Sequence, residues 1–244
     1  MKQNGNLTGS NIISNLLLNE IKINCQNPLI LPRGEDCVTE EQRNTEVQWL
    51  CKQGKQLDLG LDTVGAAISI FDRVLTQTCV RSKYANCVAV TSLYIAIKLF
   101  EEGLDSIGIE DILNDFDVEY SINEVLRMER SILAKLKWHL ISPTVERFIF
   151  VMLSQLGSSI TVESIALREK VEDLFSCWNL MSKFRPSLLA LSLISVVMNP
   201  DEDGLESLKL CARLMKTFEI DQKELRSCSS FLEDLFYGES DKEN

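Results

Sequence analysis

The sequence predicts an all-α protein, built as two tandem sets of five helices preceded by a short N-terminal helix. Apolar residues recur at helical spacing nearly throughout the chain, and the alternating patterns typical of strands are hard to find. Glycine (11 residues) and proline (5 residues) are too sparse for a turn-rich β fold. With 45% hydrophobic residues, the 244-residue chain can bury a sizeable core.

The first set of helices follows a short helix at 10–22 and a proline-containing linker. Capping signals indicate where several helices begin. Thr39 with Gln42 and Ser121 with Glu124 each resemble a capping box, and Asp62 can cap a third helix. The predicted helices of this set lie at 39–53, 63–77, 83–102, 107–116 and 122–138.

The second set repeats the order of the first. Its predicted helices lie at 144–156, 162–182, 186–198, 204–218 and 221–236. The third helix of each set is the most apolar, and a helix that is apolar on all sides belongs in the middle of a bundle. This matching order suggests an internal duplication. The predicted organisation is an N-terminal helix and linker at 1–38, helical domains at 39–142 and 143–237, and a polar tail at 238–244.

Composition excludes several classes of function. The net charge of −11 leaves no cationic footprint, so we expect no binding to nucleic acid. The longest apolar run, at 188–198, is too short to span a membrane, and the polar N-terminus has no signal core. The eight cysteines form no C-x-x-C pair and His139 is the single histidine, so no metal site is predicted. We expect an intracellular protein with reduced cysteines.

Catalysis has no support in the sequence. There is no glycine-rich phosphate loop, and the lone His139 suggests a packing residue rather than a member of a nucleophile triad. Cys177 has no evident base beside it, and nothing else calls for Lys98 as a Schiff-base lysine. The chain is therefore predicted not to be an enzyme and to need no cofactor.

One lysine interrupts an apolar helical run. Lys98 lies in LYIAIKLFEE (93–102) among aliphatic and aromatic residues. A lysine in such a setting must reach water or meet a carboxylate, because an unpaired buried charge costs several kcal/mol. Glu101 or Glu102 on the same helix could be that partner, although a lysine that precedes its glutamate is the weaker orientation.

Five short motifs carry a resemblance to the cyclin family. FDRVL (71–75), LYIAIKLFEE (93–102), VLRMERSIL (125–133) and LKWHL (136–140) resemble successive parts of the cyclin box, and MSKFRPSLLALSLI (181–194) resembles the second cyclin fold. In detail the chain looks most like the cyclin G and cyclin I branch. The resemblance covers roughly 40–236 and implies two tandem five-helix cyclin folds.

The resemblance also implies a function. Cyclins bind a cyclin-dependent protein kinase and bias it toward its active conformation, in cell-cycle or stress control, in the nucleus or the cytoplasm. The residues that match the kinase-binding surface are Lys98, Glu129, Leu99, Phe100, Trp138 and Leu140. Phe100, Trp138 and Leu140 could alternatively be ordinary core residues. The runner-up function is an adaptor that recruits a protein phosphatase regulatory subunit without activating a kinase.

Three further features follow from the resemblance. Arg43 and Asp72 match a structural ion pair of the cyclin fold. The stretch QRNTEVQW (42–49) places polar residues where many cell-cycle cyclins have an apolar groove for substrates, so we expect no docking of that kind here. The C-terminal Lys242, Glu243 and Asn244 form the tripeptide of a KEN-type degradation signal.

Overall fold

The computed structural model describes residues 4–26, 29–101, 109–116, 118, 120–156, 165–197 and 204–238. Within these ranges it contains α-helices, one 3₁₀ turn at Ser82–Tyr84, and no strand beyond an isolated bridge between Cys37 and Arg81. The predicted all-α class is confirmed. The helices are α1 (Asn4–Gln26), α2 (Glu40–Gln56), α3 (Leu61–Gln77), α4 (Ala85–Phe100), α5 (Ile109–Asp115), α6 (Ile122–Lys135), α7 (Val145–Leu156), α8 (Ile165–Phe175), α9 (Trp178–Lys183), α10 (Pro186–Val197), α11 (Gly204–Thr217) and α12 (Gln222–Tyr237).

The chain forms two compact units. The N-terminal unit comprises Asn27–Ser142 with Phe175–Trp178, and the C-terminal unit comprises Met1–Gln26, Pro143–Leu174 and Asn179–Asn244. The helix α1 therefore belongs to the C-terminal unit. The domain boundaries expected from the sequence stay a prediction.

In the N-terminal unit, α4 is the central helix. It packs against α2, α3 and α6, and its residues are buried on all sides from Cys87 to Leu93. A single helix cannot remove an apolar surface of this extent from water, so the neighbouring helices must cover it. Both predicted capping boxes open flanking helices: the Thr39 side chain accepts from Gln42 N–H, and the Ser121 side chain accepts from Glu124 N–H.

In the C-terminal unit, α10 has the corresponding position. It packs against α7 and α12, and 187–194 is a continuous buried run. The carboxylate of Glu20, on α1, reaches the first turn of α10. There it accepts hydrogen bonds from the Ser187 N–H at 2.7 Å and the Ser187 hydroxyl at 2.8 Å. Burial raises the pKa of Glu20, and these two bonds partly offset that effect.

Several predicted helix boundaries were wrong. The first helix, expected at 10–22, extends over Asn4–Gln26, and the second, expected to end at 53, continues to Gln56. The helix expected at 162–182 is broken between Phe175 and Trp178, because tertiary groups bind its backbone there: the Phe175 carbonyl accepts from Arg43, and the Trp178 N–H donates to Asn44 Oδ1 at 3.1 Å. The helix α6 ends at Lys135 instead of Trp138, since Lys137 and Trp138 have φ of 51° and 63° in the left-handed region.

Two smaller expectations also change. Gly60, and not Asp62, precedes α3 as its N-cap residue. The cysteines are not all reduced, because Cys37 and Cys79 form a disulfide. Among the residues in the described ranges, no group of His, Cys, Asp and Glu side chains could hold a metal ion, and no helix is long and apolar enough to cross a membrane.

Candidate functional site

Lys98 is paired with a carboxylate on another helix. It lies in the last turn of α4, and its ammonium forms an ion pair with Glu129 Oε1 on α6, 31 positions along the chain. The Lys98 side chain is 43% exposed and that of Glu129 is 12% exposed. Lys98 Nζ also lies 4.3 Å from the ring centroid of Tyr94, one turn earlier on α4. The pair is therefore tertiary and faces solvent at one edge.

Glu101, the alternative partner on the same helix, has another role. Its Oε1 accepts from Thr63 Oγ1 at 2.6 Å and from the Gly60 N–H at 3.3 Å. These donors lie at the start of α3, where a carboxylate also interacts favourably with the helix dipole. Glu102, the other candidate partner, lies outside the described residues.

The apolar residues of the predicted surface differ in exposure. Phe100 and Leu140 are half-buried, Leu99 is 44% exposed and Trp138 is 74% exposed. The alternative in which Trp138 is a core residue is therefore wrong. Ile141, which the sequence analysis did not single out, is 72% exposed. Large apolar side chains that project into solvent are expected where a protein meets a partner.

Local backbone structure fixes the segment that carries Trp138. After α6 the chain turns sharply with positive φ at two residues in succession. The Trp138 N–H donates to the Leu133 carbonyl at 3.0 Å, and the His139 N–H donates to the Leu136 carbonyl at 2.9 Å. These bonds satisfy carbonyl groups at the end of α6, as a C-terminal cap does.

Arg73 anchors the same segment from α3. Its guanidinium donates from Nη2 to the His139 carbonyl at 2.6 Å and from Nη1 to the Leu140 carbonyl at 3.3 Å. The Ser69 and Ser142 hydroxyls form a further hydrogen bond between α3 and the end of the segment. Burial lowers the pKa of Arg73. The sequence analysis assigned Arg73 no role, although an arginine in an apolar helix is itself a signal that buried acceptors lie nearby.

Arg43 and Asp72 form a buried pair away from solvent. Arg43 donates from Nε to Asp72 Oδ1 at 2.8 Å and from Nη2 to Oδ2 at 2.6 Å. Its Nη1 donates to the Phe175 carbonyl and to Asn44 Oδ1. The guanidinium also lies 5.2 Å from the ring centroid of Trp178. Because both charges are buried and fully engaged inside the unit, this geometry is that of an internal anchor, not of a contact surface.

Two polar residues of 42–49, Gln42 and Glu46, form hydrogen bonds within the N-terminal unit. Gln42 Oε1 accepts from the Thr39 N–H at 3.1 Å and from Ser82 Oγ at 2.9 Å. Glu46 accepts from Asn86 Nδ2 at 2.8 Å, and burial raises its pKa. The ring of Trp49 packs edge-on against Phe116, with centroids 5.5 Å apart. The expectation that this stretch captures no substrate peptide stays a prediction. The candidate degradation signal at 242–244 lies outside the described residues.

Comparison with known proteins identifies the family. The model of the "Cyclin, N-terminal domain" family matches residues 11–141. The chain is 27% identical to Cyclin-G1 of Sus scrofa over 65% of its own length and 56% of that protein. It is 30% identical to Cyclin-I2 of Homo sapiens over 68% of its length and 47% of that protein. It spans 56 to 65% of the length of the Cyclin-G1 relatives.

Two solved structures share the fold. A viral cyclin from herpesvirus saimiri superposes with a TM-score of 0.70 at 16% identity, covering 92% of this chain and 98% of that one. A chain of the CAK complex of Chaetomium thermophilum bound to ATP-gamma-S superposes with a TM-score of 0.54 at 17% identity, covering 91% of this chain and 74% of that one. The chain thus belongs to the cyclin family, as a cyclin-box protein of the cyclin G and cyclin I branch.

Proposed function

We propose that this chain is a regulatory subunit, without catalytic activity or cofactor of its own, that binds a cyclin-dependent protein kinase and biases its active conformation. It would act inside the cell, in the nucleus or the cytoplasm, in cell-cycle or stress control. Membership of the cyclin family supports this proposal. We use the name Lys98 surface for the residues that would contact the kinase: Lys98, Leu99, Phe100, Glu129, Trp138 and Leu140.

The observation that carries the proposal is the tertiary ion pair between Lys98 and Glu129, in the same unit as an exposed tryptophan. An ammonium has three N–H donors, and Glu129 uses only part of that capacity. A partner that supplied carbonyl or carboxylate oxygens could therefore bind Lys98 without breaking the pair. A charge pair of this kind sets orientation and selectivity more than raw affinity.

Affinity would come from the apolar members of the Lys98 surface. An aromatic side chain buries about 150–250 Å² when it enters a pocket, and buried tryptophans are prominent among residues that dominate binding energy. The backbone at Trp138 is held by its own hydrogen bond and by the anchoring of the next two residues through Arg73. Little backbone freedom would then be lost on binding, which favours affinity.

Activation would follow by population shift. If the Lys98 surface binds the active kinase conformation better than the inactive one, binding shifts the equilibrium between these two conformations toward the active one. The size of the shift equals the difference in binding free energy and cannot exceed it. The mechanism needs no chemical group on the cyclin. It predicts that a variant that loses binding loses activation in the same proportion.

The test is a binding and activity measurement with a panel of purified cyclin-dependent kinases. The variants are Trp138→Ala and the charge swap Lys98→Glu with Glu129→Lys, which keeps the pair but inverts what it presents to a partner. Phe150→Ala is the matched control, because Phe150 is an exposed aromatic (64%) of the C-terminal unit. Lys216→Glu is the second control, because Lys216 is an exposed lysine in the last turn of a helix, like Lys98.

We expect at least one kinase to bind the wild type and to gain activity. Trp138→Ala should weaken binding about 30-fold or more, the size of a loss of about 2 kcal/mol. The charge swap should also weaken binding, and both controls should bind within about threefold of the wild type. Kinase binding that survives both changes would contradict the Lys98 surface, and binding without a gain in activity would contradict the activating role.

The runner-up function is an adaptor that recruits a protein phosphatase regulatory subunit. A second exposed apolar surface supports it: Phe231, Leu235 and Tyr237 project from α12 in the C-terminal unit. Lys183 Nζ lies 3.8 Å from the ring centroid of Phe231, which adds a cation to this surface. Binding of a purified phosphatase regulatory subunit that Phe231→Ala weakens and Trp138→Ala leaves unchanged would favour the adaptor.

A further inference from the structure

The disulfide between Cys37 and Cys79 joins the two ends of the segment that contains α2 and α3. Cys37 precedes α2, Cys79 follows α3, and the two residues are 42 positions apart with their Cα atoms separated by 5.2 Å. Cys37 is 6% exposed, whereas Cys79 belongs to the exposed residues. Cys37 is therefore shielded from solvent, whereas Cys79 lies at the surface, where small molecules can approach it.

Backbone hydrogen bonds align the two cysteines independently of the covalent bond. The Val38 N–H donates to the Val80 carbonyl at 2.9 Å, and the Ser82 N–H donates to the Asp36 carbonyl at 2.9 Å. The Ser82 hydroxyl donates to Gln42 Oε1 at 2.9 Å, which connects this ladder to the capping box of α2. Because these hydrogen bonds do not involve the sulfur atoms, we expect the two cysteines to stay close after reduction, so that neither oxidation nor reduction needs a large movement of the backbone.

Four other cysteines, Cys51, Cys87, Cys211 and Cys228, differ from this pair in burial or in thiol pKa. Cys51, Cys87 and Cys228 are buried. Burial raises the pKa of the Cys87 and Cys211 thiols, and raises that of Cys228 to about 11. Thiol–disulfide exchange requires a thiolate and access to the attacked sulfur, so these thiols react slowly. The pair at 37 and 79 combines proximity with exposure.

We propose that Cys37 and Cys79 are a reversible redox site of the N-terminal unit, which is oxidised and reduced by a low-molecular-weight thiol–disulfide couple such as glutathione. In reduction, a glutathione thiolate attacks the exposed Cys79 sulfur, forms a mixed disulfide and releases the Cys37 thiolate, which takes a proton. A second glutathione thiolate attacks the glutathione sulfur of the mixed disulfide. This step releases the Cys79 thiolate and oxidised glutathione, so two electrons and two thiol protons are exchanged in total.

The oxidised state restrains the start of α2 and the turn after α3. A bond that closes a loop of this length removes many conformations from the unfolded chain, and the stabilisation grows with loop length. In the folded state the bond also opposes local opening of the Asp36–Val38 and Val80–Ser82 ladder. The redox state of the pair thus sets the stability of the N-terminal unit and the rigidity of the segment that leads into α2.

The test measures the redox state directly on the full chain. The protein is equilibrated at increasing ratios of oxidised to reduced glutathione, quenched with acid, labelled with N-ethylmaleimide and mapped by mass spectrometry without reduction. Cys177, which is half-buried and not disulfide-bonded, is the internal control. The same samples are melted, and a Cys37→Ser, Cys79→Ser double variant is melted beside them.

We expect Cys37 and Cys79 to lose their label together across the glutathione series, with a peptide linked through both, while Cys177 keeps its label. The oxidised wild type should melt about 10 °C above the reduced wild type. The double variant should melt at one temperature in all buffers. Amide hydrogen exchange at Val38 and Ser82 should be slower in the oxidised wild type than in the reduced protein.

Three outcomes would overturn the proposal. The first is full labelling of both cysteines at every ratio, and the second is a bond that the highest concentration of reduced glutathione does not open. The third is a Cys79 that is found only as a mixed disulfide with glutathione. All three outcomes are measured by labelling the wild type. They therefore test the proposal even if the double variant does not fold.

Discussion

Removing the carboxylate of Asp72 is expected to destabilise the N-terminal unit strongly. In Asp72→Ala, the Nε and Nη2 groups of Arg43 lose their acceptors at 2.8 and 2.6 Å. The guanidinium keeps the Phe175 carbonyl and Asn44 Oδ1, but it has no exposed surface through which water could replace the missing carboxylate. A buried charge that loses its partner costs about 3–5 kcal/mol, and the two surviving acceptors place the expected loss near the lower end, about 3 kcal/mol.

The assay is urea unfolding followed by circular dichroism, with a double-mutant cycle. Asp173→Ala is the matched control, because Asp173 is an exposed aspartate on a helix and should change the free energy of unfolding by less than about 0.5 kcal/mol. The double variant Arg43→Met, Asp72→Ala contains no buried guanidinium without its carboxylate partner. The double variant should therefore lose about 2 kcal/mol less than the sum of the two single variants.

A different result would refute this reasoning. If Asp72→Ala costs less than about 1 kcal/mol, the pair behaves like an exposed ion pair and does not anchor the unit. Strict additivity in the cycle would also refute it, since two groups that exchange two hydrogen bonds cannot contribute independently.

Three further predictions concern other parts of the molecule. Arg73→Met should release the His139 and Leu140 carbonyls and weaken binding of the proposed kinase partner about tenfold without loss of helicity, as measured by titration and circular dichroism; unchanged affinity would contradict the anchoring role. Burial raises the pKa of Glu20 above its ordinary value of 4.5, so the folded protein binds this proton more tightly than the unfolded chain does. The free energy of unfolding of the wild type should fall relative to that of Glu20→Gln as the pH rises from about 4.5 toward neutrality. Urea unfolding of both proteins at pH 4.5 and at neutral pH measures this change, and a change of the opposite sign would contradict the prediction. A leucine-bearing peptide that docks in the groove of cell-cycle cyclins should show no binding near Trp49 in a fluorescence titration, and micromolar affinity there would contradict the prediction.

The sequence was sufficient for features that depend on local chemistry. The two capping boxes, the apolar helices α4 and α10 and the all-α class follow from residue type and spacing within one or two turns. The pairing of Lys98 with Glu129 could not be read from spacing, because the two residues lie on different helices. It came from the resemblance to cyclins, and so did the choice of Trp138 as a surface residue.

Other features depend on long-range contacts that leave no local mark. The break between α8 and α9 contains neither glycine nor proline, and it arises because Arg43 and Asn44 bind the backbone there. The end of α6 depends on two residues with positive φ, and the residue types lysine and tryptophan do not predict this conformation. The Cys37–Cys79 bond joins residues 42 positions apart, and eight scattered cysteines give no indication of which two will meet.

The anchoring of the segment after α6 has a consequence for how this surface can evolve. Arg73 holds His139 and Leu140 by carbonyl oxygens, which every amino acid possesses. The side chains at 139 and 140 can therefore be exchanged without loss of the anchor. Proline is the exception, because it would remove the N–H that donates to the Leu136 carbonyl from 139 or to the Trp138 carbonyl from 140. Selection on partner choice can act on these side chains while selection on folding acts on Arg73, so a duplicated gene could acquire a new partner without first losing its fold.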